Sequence, residues 1–270
     1  MMEFAAIQMA SGPEVVQNLQ KAEKYIHDAA NAGARLIALP ENFALMPNND
    51  QDRLEAAEDM GSGVIQSFLE EQAKQNNIWL IGGTIPIRTH DPEKVMAGCL
   101  VYDNHGSIQA RYDKIHLFDV SLSEDETYRE SDYILPGSDT VVYESPWGKI
   151  GLAVCYDLRF PEMFREMLTC GLDAVVIPSA FTAQTGRVHW RALLQARAIE
   201  NQIYIIAPNQ YGVHANGRET YGHTMIIDPW GEICCCMETG GGYIKSKIDL
   251  DHIVRVRQML PCLPHRRIGS

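Results

Sequence analysis

The stretch KIGLAVCYDLRFPE at residues 149–162 decides how this part of the chain folds. Residues 150–154 are apolar and predict a short buried strand. The polar residues that follow and then Pro161 predict a turn into a helix, because proline suits the first turn of a helix. Cys155 is therefore expected at the exit of a core strand, where an acyl-transfer nucleophile would stand. On this stretch alone an inert core cysteine is the better interpretation, since unpaired cysteines are among the most buried residues.

The composition limits the partners of this chain. It has 270 residues and a formal net charge of −12, so bulk affinity for nucleic acid or for an anionic membrane surface is not expected. A small anionic substrate held by a local arginine is compatible with that charge. No apolar run reaches the ~18 residues that a membrane span needs. The N-terminal MMEFAAIQMA lacks the basic start of a secretory signal.

Cysteine usage and chain continuity favour one domain in a reducing compartment. Seven cysteines, three of them consecutive at 234–236, do not make a disulfide framework, so a cytoplasmic location is expected. No CxxC pair is present, so no metal site is expected. No linker or low-complexity run interrupts the sequence, and residues 1–270 are predicted to form a single domain.

The order of apolar segments predicts an α/β fold. Periodic apolar residues predict a helix at 15–30, and short apolar runs predict strands at 36–39 and 79–87. Asn104-His105-Gly106 between two further apolar runs predicts a hairpin. Residues 119–139 are acidic and aperiodic and are expected to form a long loop. Alternating strands and helices with added hairpins predict a mixed-sheet domain whose helices cover the sheets.

Three chemically capable side chains follow predicted strands: Glu41, Lys114 and Cys155. Ligand sites of α/β proteins collect where the carboxyl ends of parallel strands meet. A thiol with an ordinary pKa of about 8.5 is mostly protonated at neutral pH, so Glu41 could take its proton. Lys114 and the backbone N–H of Tyr156 could stabilise an oxyanion. Taken singly, a loop acid, a solvated amine and a core thiol are simpler interpretations, and spacing alone does not show that the three meet.

Three separated segments resemble the signature motifs of the nitrilase, or carbon–nitrogen hydrolase, superfamily. They are ALPEN at 38–42, YDKIHLFD at 112–119 and GLAVCYDLRFPE at 151–162, and the similarity continues to HRR at 265–267. The resemblance implies a four-layer αββα sandwich assembled as a homodimer or larger homo-oligomer, with no metal and no organic cofactor. The tail from about residue 260 is then expected at an interface between subunits.

The same resemblance implies roles for individual residues. Glu41 would be the general base, Lys114 the electrostatic stabiliser and Cys155 the nucleophile. A second glutamate is usual in the loop after the lysine, and Glu130 within YRES is the candidate. Glu124 and Glu126 lie in the same acidic loop and stay open as alternatives.

The implied reaction is hydrolysis of an amide through a cysteine thioester, with ammonia leaving first. Within the superfamily, CYDLRFPE and YGHTMIIDPWG most resemble the amidases of deaminated glutathione. Omega-amidases that act on 2-oxoglutaramate are the alternative, followed by aliphatic amidases and N-carbamoyl hydrolases. Different classes of function also stay open. A non-catalytic scaffold would work through its surface, and an acyl transferase would pass the acyl group to an amine or alcohol.

An arginine is expected beside the substrate, because both of the first two substrates carry carboxylates. Arg159, four residues after the nucleophile, is the first candidate and Arg187 the second. An equal alternative is that Arg159 forms a structural pair with Asp157 or Glu162.

Overall fold

Two large sheets form the centre of the fold in the computed structural model, which describes residues 2–122 and 126–268. The seven-stranded sheet contains β1 (Met2–Gln8), β2 (Leu36–Ala38), β3 (Trp79–Ile81), β4 (Ile85–Arg88), β5 (Val95–Tyr102), β6 (Ile108–Asp113) and β17 (Gly242–Ile248). The six-stranded sheet contains β9 (Val141–Ser145), β10 (Gly148–Leu152), β11 (Ala174–Val176), β12 (Tyr204–Ala207), β15 (Thr224–Ile227) and β16 (Ile233–Met237). Two small hairpins pair β7 (Asp119–Ser121) with β8 (Thr127–Arg129) and β13 (Tyr211–Val213) with β14 (Glu219–Tyr221).

Helices connect these strands. They are α1 (Val15–Asn31), α2 (Asp50–Glu55), α3 (Val64–Asn76), α4 (Pro161–Leu168), α5 (Ala183–Thr185), α6 (Arg191–Asn201) and α7 (Leu250–Met259). A 3₁₀ turn at Cys155–Arg159 precedes α4, and a π-helical turn at Gly186–Trp190 joins α5 to α6. The helix predicted at 15–30 and the helix predicted after Pro161 are both confirmed.

Apolar residues on both faces of the strands explain the layering. Ala5 and Ile7 of β1 pack in the cluster that contains α1 and α3, whereas Phe4 and Ala6 face the core between the sheets. Across that core, the rings of Trp79 and Tyr143 stack with centroids 6.1 Å apart. Helices α4 and α6 cover the other sheet. The predicted four-layer αββα sandwich is confirmed.

Parallel strands bring two chain exits together. β1, β2 and β3 run parallel in one sheet, and β10, β11 and β12 run parallel in the other. Glu41 follows the end of β2 and Cys155 follows the end of β10. Lys114 follows directly after β6, the second arm of the predicted hairpin, which is confirmed.

The strand predicted at 79–87 is wrong as one unit. β3 and β4 both pair with β5, but the chain breaks between them at residues 82–84. Gly83 has φ +57°, and a Cβ there would lie 2.1 Å from the carbonyl oxygen of Pro40. This close approach excludes other residue types at Gly83 and supports the backbone just before Glu41.

The long loop predicted at 119–139 also contains structure. Its described residues include the β7–β8 hairpin and a 3₁₀ turn at Glu130–Asp132. The hairpin strands carry exposed polar residues and bury none completely, so they show no apolar periodicity in the sequence.

Candidate active site

The side chains of Glu41, Lys114, Glu130 and Cys155 meet in one buried cluster. Lys114 Nζ lies 2.8 Å from Glu41 Oε1 and 2.9 Å from each carboxylate oxygen of Glu130. Cys155 lines the same cavity as Glu41, Lys114 and Glu130. Lys114 is 1% exposed and Cys155 6%, so all this charge is held away from bulk water. An acid, an amine and a thiol from three distant segments therefore share one cavity.

Backbone amides hold both carboxylates in place. Glu41 Oε2 accepts from the N–H of Ala180 at 2.8 Å. Glu130 Oε2 accepts from the N–H of Phe118 at 2.6 Å. Each carboxylate thus contacts both Lys114 and a rigid backbone donor, which fixes its orientation.

Burial and charge set the protonation of the cluster. Burial alone would raise the pKa of Glu41, but the charge and hydrogen bond of Lys114 outweigh it, so the pKa of this carboxyl lies below its ordinary value. Burial alone would lower the pKa of Lys114, yet the carboxylates of Glu130 and Glu41 raise the pKa above its ordinary value. Glu41 is therefore ionised, able to accept a proton, beside a permanent ammonium group.

The thiol of Cys155 stays protonated at rest. Burial is the largest cause that raises its pKa, and the negative charge of Glu41 adds to it, while Lys114 and Arg218 act in the opposite direction. A nucleophilic thiolate must therefore form by proton transfer to a neighbour during the reaction. Glu41, the ionised carboxylate that lines the same cavity, is the candidate acceptor.

Cys155 also has a strained backbone. Its φ is +48°, and Asn42, next to Glu41, has φ +59°. Non-glycine residues in this region are uncommon and cluster at functional sites. The N–H of Cys155 donates to the carbonyl of Pro178 at 3.0 Å. Tyr156 follows in the first turn of the 3₁₀ segment, where backbone N–H groups lack an acceptor within the helix.

The acidic residues of the segment 119–139 lie in different places. Glu130 contacts Lys114 directly, whereas Glu126 accepts from Tyr128 Oη at 3.0 Å and lines a different, outer cavity. Glu124 lies outside the described residues. Among the described acids of this loop, Glu130 is the second carboxylate of the cluster.

Asp157 supports the site, although the sequence indicated it only as a possible structural partner of Arg159. It is fully buried and accepts from Tyr112 Oη at 2.6 Å, from His116 Nδ1 at 2.7 Å and from the N–H of Val154 at 2.7 Å. These bonds tie the turn that carries Cys155 to the segment around Lys114. Asp157 lies only two residues after Cys155, but its role could not be predicted because Tyr112 and His116 are distant in sequence.

The cluster opens into a narrow inner pocket. Its lining includes two carboxylates and four cations, a net charge of +2 in a chain of net charge −12; the cations are Arg53, Lys114, Arg159 and Arg218. The cavity volume is ≈ 20 Å³ for the inner pocket and ≈ 800 Å³ for an adjoining outer basin. One water needs ~10–15 Å³ on that measure, so the inner pocket is close-fitting.

The two predicted arginines lie in different places. Arg159 lines the inner pocket, lies over the ring of Phe181 at 5.1 Å and contacts His189 Nδ1 at 3.2 Å. Among the described residues, no carboxylate lies within ion-pair distance of Arg159, so neither Asp157 nor Glu162 is its partner. Arg187 lines only the outer basin and pairs with Glu219 at 3.7 Å. Neither Arg53 nor Arg218 was predicted from the sequence.

No group of three or more described His, Cys, Asp or Glu residues has an arrangement suited to a metal ion. Within residues 2–122 and 126–268, no helix combines the length and apolar character that a membrane crossing demands.

Comparison with known proteins agrees with this geometry. The sequence model of the carbon-nitrogen hydrolase family matches residues 4–258. A Synechocystis protein named deaminated glutathione amidase is 41% identical over 97% of both chains. A human protein of the same name is 36% identical over 97% of this chain and 81% of its own.

Solved structures give the same result. The Caenorhabditis elegans NitFhit protein has a TM-score of 0.92 at 33% identity, and this chain spans 65% of its length. Saccharomyces cerevisiae Nit3, described as a member of branch 10 of the nitrilase superfamily, has a TM-score of 0.89 at 28% identity over 99% of this chain and 97% of its own. The chain therefore belongs to the carbon-nitrogen hydrolase family and is a hydrolase of carbon–nitrogen bonds other than peptide bonds.

Proposed function

We propose that this protein is a thiol amidase whose physiological substrate is deaminated glutathione. The observation that carries the proposal is the buried cluster in which the Cys155 thiol shares one cavity with Glu41, which in turn contacts Lys114. The names of relatives 36–41% identical over nearly the whole chain support this choice of substrate.

In the first half of the reaction, Glu41 takes the proton of the Cys155 thiol as the thiolate attacks the amide carbonyl carbon. The carbonyl oxygen becomes an oxyanion, which Lys114 and the N–H of Tyr156 stabilise; one such donor is typically worth ~3–4 kcal/mol of barrier. Glu41 then gives its proton to the departing nitrogen as the carbon–nitrogen bond breaks. An amine leaves and a thioester remains on Cys155.

In the second half, Glu41 removes a proton from water, and the hydroxide attacks the thioester carbon. The carbon–sulfur bond breaks, the proton returns to the sulfur, and a carboxylic acid is released. Glu130 holds Lys114 through both of its carboxylate oxygens, which keeps the ammonium charged and oriented throughout. Glu130 is therefore a positioning residue in this proposal.

The leaving group distinguishes the candidate substrates. Deaminated glutathione and 2-oxoglutaramate share one acyl part, a 2-oxo dicarboxylic acid. Cleavage of the first releases a dipeptide amine, whereas cleavage of the second releases ammonia, so the ammonia release expected from the sequence applies only to primary amides. On the shared acyl part, the 2-oxo acid carboxylate is the group that we assign to Arg159, which lines the inner pocket. Arg187 is a weaker candidate because it lines only the outer basin.

A side-by-side rate comparison tests the proposal. The wild type and Cys155→Ala are assayed on deaminated glutathione, 2-oxoglutaramate, a simple aliphatic amide and an N-carbamoyl acid, with acid and amine products both quantified. The highest kcat/KM is expected for deaminated glutathione, with water as the acceptor and no turnover by Cys155→Ala. A higher kcat/KM for 2-oxoglutaramate would favour the omega-amidase, and acyl transfer to an added amine in preference to water would favour the transferase.

We further propose a single-domain protein of the cytoplasm that forms a homo-oligomer. A core shared by both sheets supports one domain, and seven free thiols fit a reducing compartment. Apolar side chains at Trp230, Val254 and Leu260 are about half exposed, as at an uncovered interface. Light scattering of the full chain and of a chain truncated before Leu260 tests the role of the tail, and an unchanged mass would count against it.

A further inference from the structure

Four residues separate the inner pocket from the outer basin. Arg53, Tyr128, Tyr133 and Arg218 line both cavities, and we call them the neck. A substrate too long for the inner pocket would extend through the neck towards the basin, because the neck residues line both cavities.

Each arginine of the neck is held against a tyrosine of the neck. The Arg53 guanidinium lies over the ring of Tyr133 at 5.1 Å, and that of Arg218 over the ring of Tyr128 at 5.2 Å. Arg53 also donates to Asn42 Oδ1 at 3.1 Å, and Arg218 donates to the carbonyl oxygen of Ala180. Stacking and one hydrogen bond fix each guanidinium plane in advance, which lowers the entropy lost when a ligand binds.

Both guanidinium groups keep donors that no described protein group satisfies. The Nε atoms of Arg53 and Arg218 are buried and lack an acceptor within the described protein. Within the same residues, neither arginine has a carboxylate at ion-pair distance, in contrast to Arg197, which pairs with Glu200 at 2.9 Å. A buried charged donor without an acceptor is costly. A planar anion such as a carboxylate matches the unfilled edge of a guanidinium.

The position of Arg218 indicates which end of the substrate reaches the neck. Arg218 donates to the carbonyl oxygen of Ala180, whose N–H donates to Glu41 Oε2, so it lies near the group that protonates the departing nitrogen. Arg159, beside Phe181 and Tyr156, lines only the inner pocket and was assigned above to the acyl part. We propose that the neck binds a carboxylate on the amine part of the substrate, the part that leaves first. This inference rests on the proposed function and extends it to selection of the leaving group.

The test uses three amides that share one acyl group. They are deaminated glutathione, its analogue in which the terminal carboxylate is a carboxamide, and 2-oxoglutaramate. The wild type should prefer the carboxylate over its carboxamide analogue at least about 10-fold in kcat/KM, mostly through KM. Arg218→Gln and Arg53→Gln should each lower kcat/KM about 10- to 100-fold on the carboxylate substrate, so that this preference falls towards one.

The preference ratio is the decisive readout, because Arg218→Gln also alters the charge near Glu41 and so affects all three substrates. Arg129→Gln is the matched control: Arg129 is exposed on β8 next to Tyr128 and lines neither cavity, and its preference should equal that of the wild type. Turnover by the wild type without any preference, or an unchanged ratio in both neck variants, overturns the inference and leaves the amidase intact. If the wild type turns over none of the three amides, the proposed function and the inference are both overturned.

Discussion

The floor of the inner pocket is formed by Glu41, Lys114, Glu130 and Cys155. The floor and the neck both carry charged side chains, but the charges are paired in the floor and not in the described part of the neck. On the floor, Lys114 is surrounded by Glu41 and Glu130 at 2.8–2.9 Å, and every group is nearly fully buried. In the neck, Arg53 and Arg218 are half-buried and have no described carboxylate at that distance. The same type of charge is therefore neutralised in one region and left free in the other.

This difference separates chemistry from recognition. A buried ion cluster does not recruit a charged substrate, because its charges already satisfy one another, but it can shift a proton between fixed partners. Guanidinium groups with free donors do the opposite: they attract and orient an anion without entering the reaction. Substitution of a charged group on the floor should therefore change kcat and stability, loss of the thiol should change kcat alone, and substitutions outside the floor should change KM.

The largest effect is expected at the nucleophile. Cys155→Ala removes the only atom proposed to bond to the substrate, so kcat should fall by at least ~10⁴-fold while thermal unfolding stays close to that of the wild type. Cys170→Ser is the matched control, because Cys170 is an exposed free thiol, and its steady-state rate should be unchanged. Retention of wild-type rates by Cys155→Ala would remove the thioester from the mechanism.

The next effect is expected at the ammonium group. Lys114→Met leaves Glu41 and Glu130 buried beside each other without a counter-charge, which should cost about 3–5 kcal/mol of unfolding free energy and abolish turnover. Denaturant melts and rates on the same preparation measure both. A variant as stable as the wild type would show that the two carboxylates do not depend on Lys114.

Glu130→Gln should have a smaller effect, because it removes one charge and keeps the shape. Lys114 then loses one of two carboxylates that raise its pKa and hold its position, and kcat should fall about 10²-fold with little change in KM. Glu126→Gln is the control, since Glu126 lines only the outer basin. Equal losses in the two variants would contradict the distinction between floor and basin.

The pH dependence follows from the lowered pKa of Glu41. A carboxyl whose pKa is lowered on folding stabilises the protein above its unfolded value, ~4.3, and that contribution is lost as the pH falls through the lower folded value. The acid limb of kcat/KM should therefore lie below pH 4.5, the ordinary value for this carboxyl. An acid limb between pH 5 and 7 in a pH–rate profile would mean that Glu41 is not the base.

The smallest effect is expected at Arg159, which is partly exposed and contacts rings rather than carboxylates. Arg159→Gln should raise KM about 10-fold for amides with a 2-oxo acid acyl part and leave kcat nearly unchanged. A neutral aliphatic amide serves as the comparison substrate, because its KM should not move. A fall in kcat alone would assign Arg159 to the floor.

Three members of the floor could be predicted from the sequence, because each follows a segment that predicts a strand, whereas Glu130 was expected only from the family resemblance because its hairpin has no apolar periodicity. Glu41, Lys114 and Cys155 follow β2, β6 and β10. The neck could not be predicted. Arg53 lies on α2, a short helix without an apolar stripe, and Arg218 lies between two short strands of which one is partly exposed throughout. Their meeting depends on tertiary packing, as does the bond between Asp157 and Tyr112.

The break at Gly83 also depends on tertiary packing and could not be predicted from the local sequence. Local apolar character continues from 79 to 87, but the backbone must turn where it approaches Pro40. Strand propensity predicts one continuous strand from the apolar residues, whereas the contact between Gly83 and Pro40 explains the break.

Partitioning of a common intermediate tests the central claim most directly. Deaminated glutathione and 2-oxoglutaramate share one acyl group, so both should form the same thioester on Cys155. In the presence of hydroxylamine, the ratio of hydroxamate to free acid should then be identical for the two substrates, and Cys155→Ala should form neither product. A ratio that depends on the leaving group, or product formation without Cys155, would contradict the account.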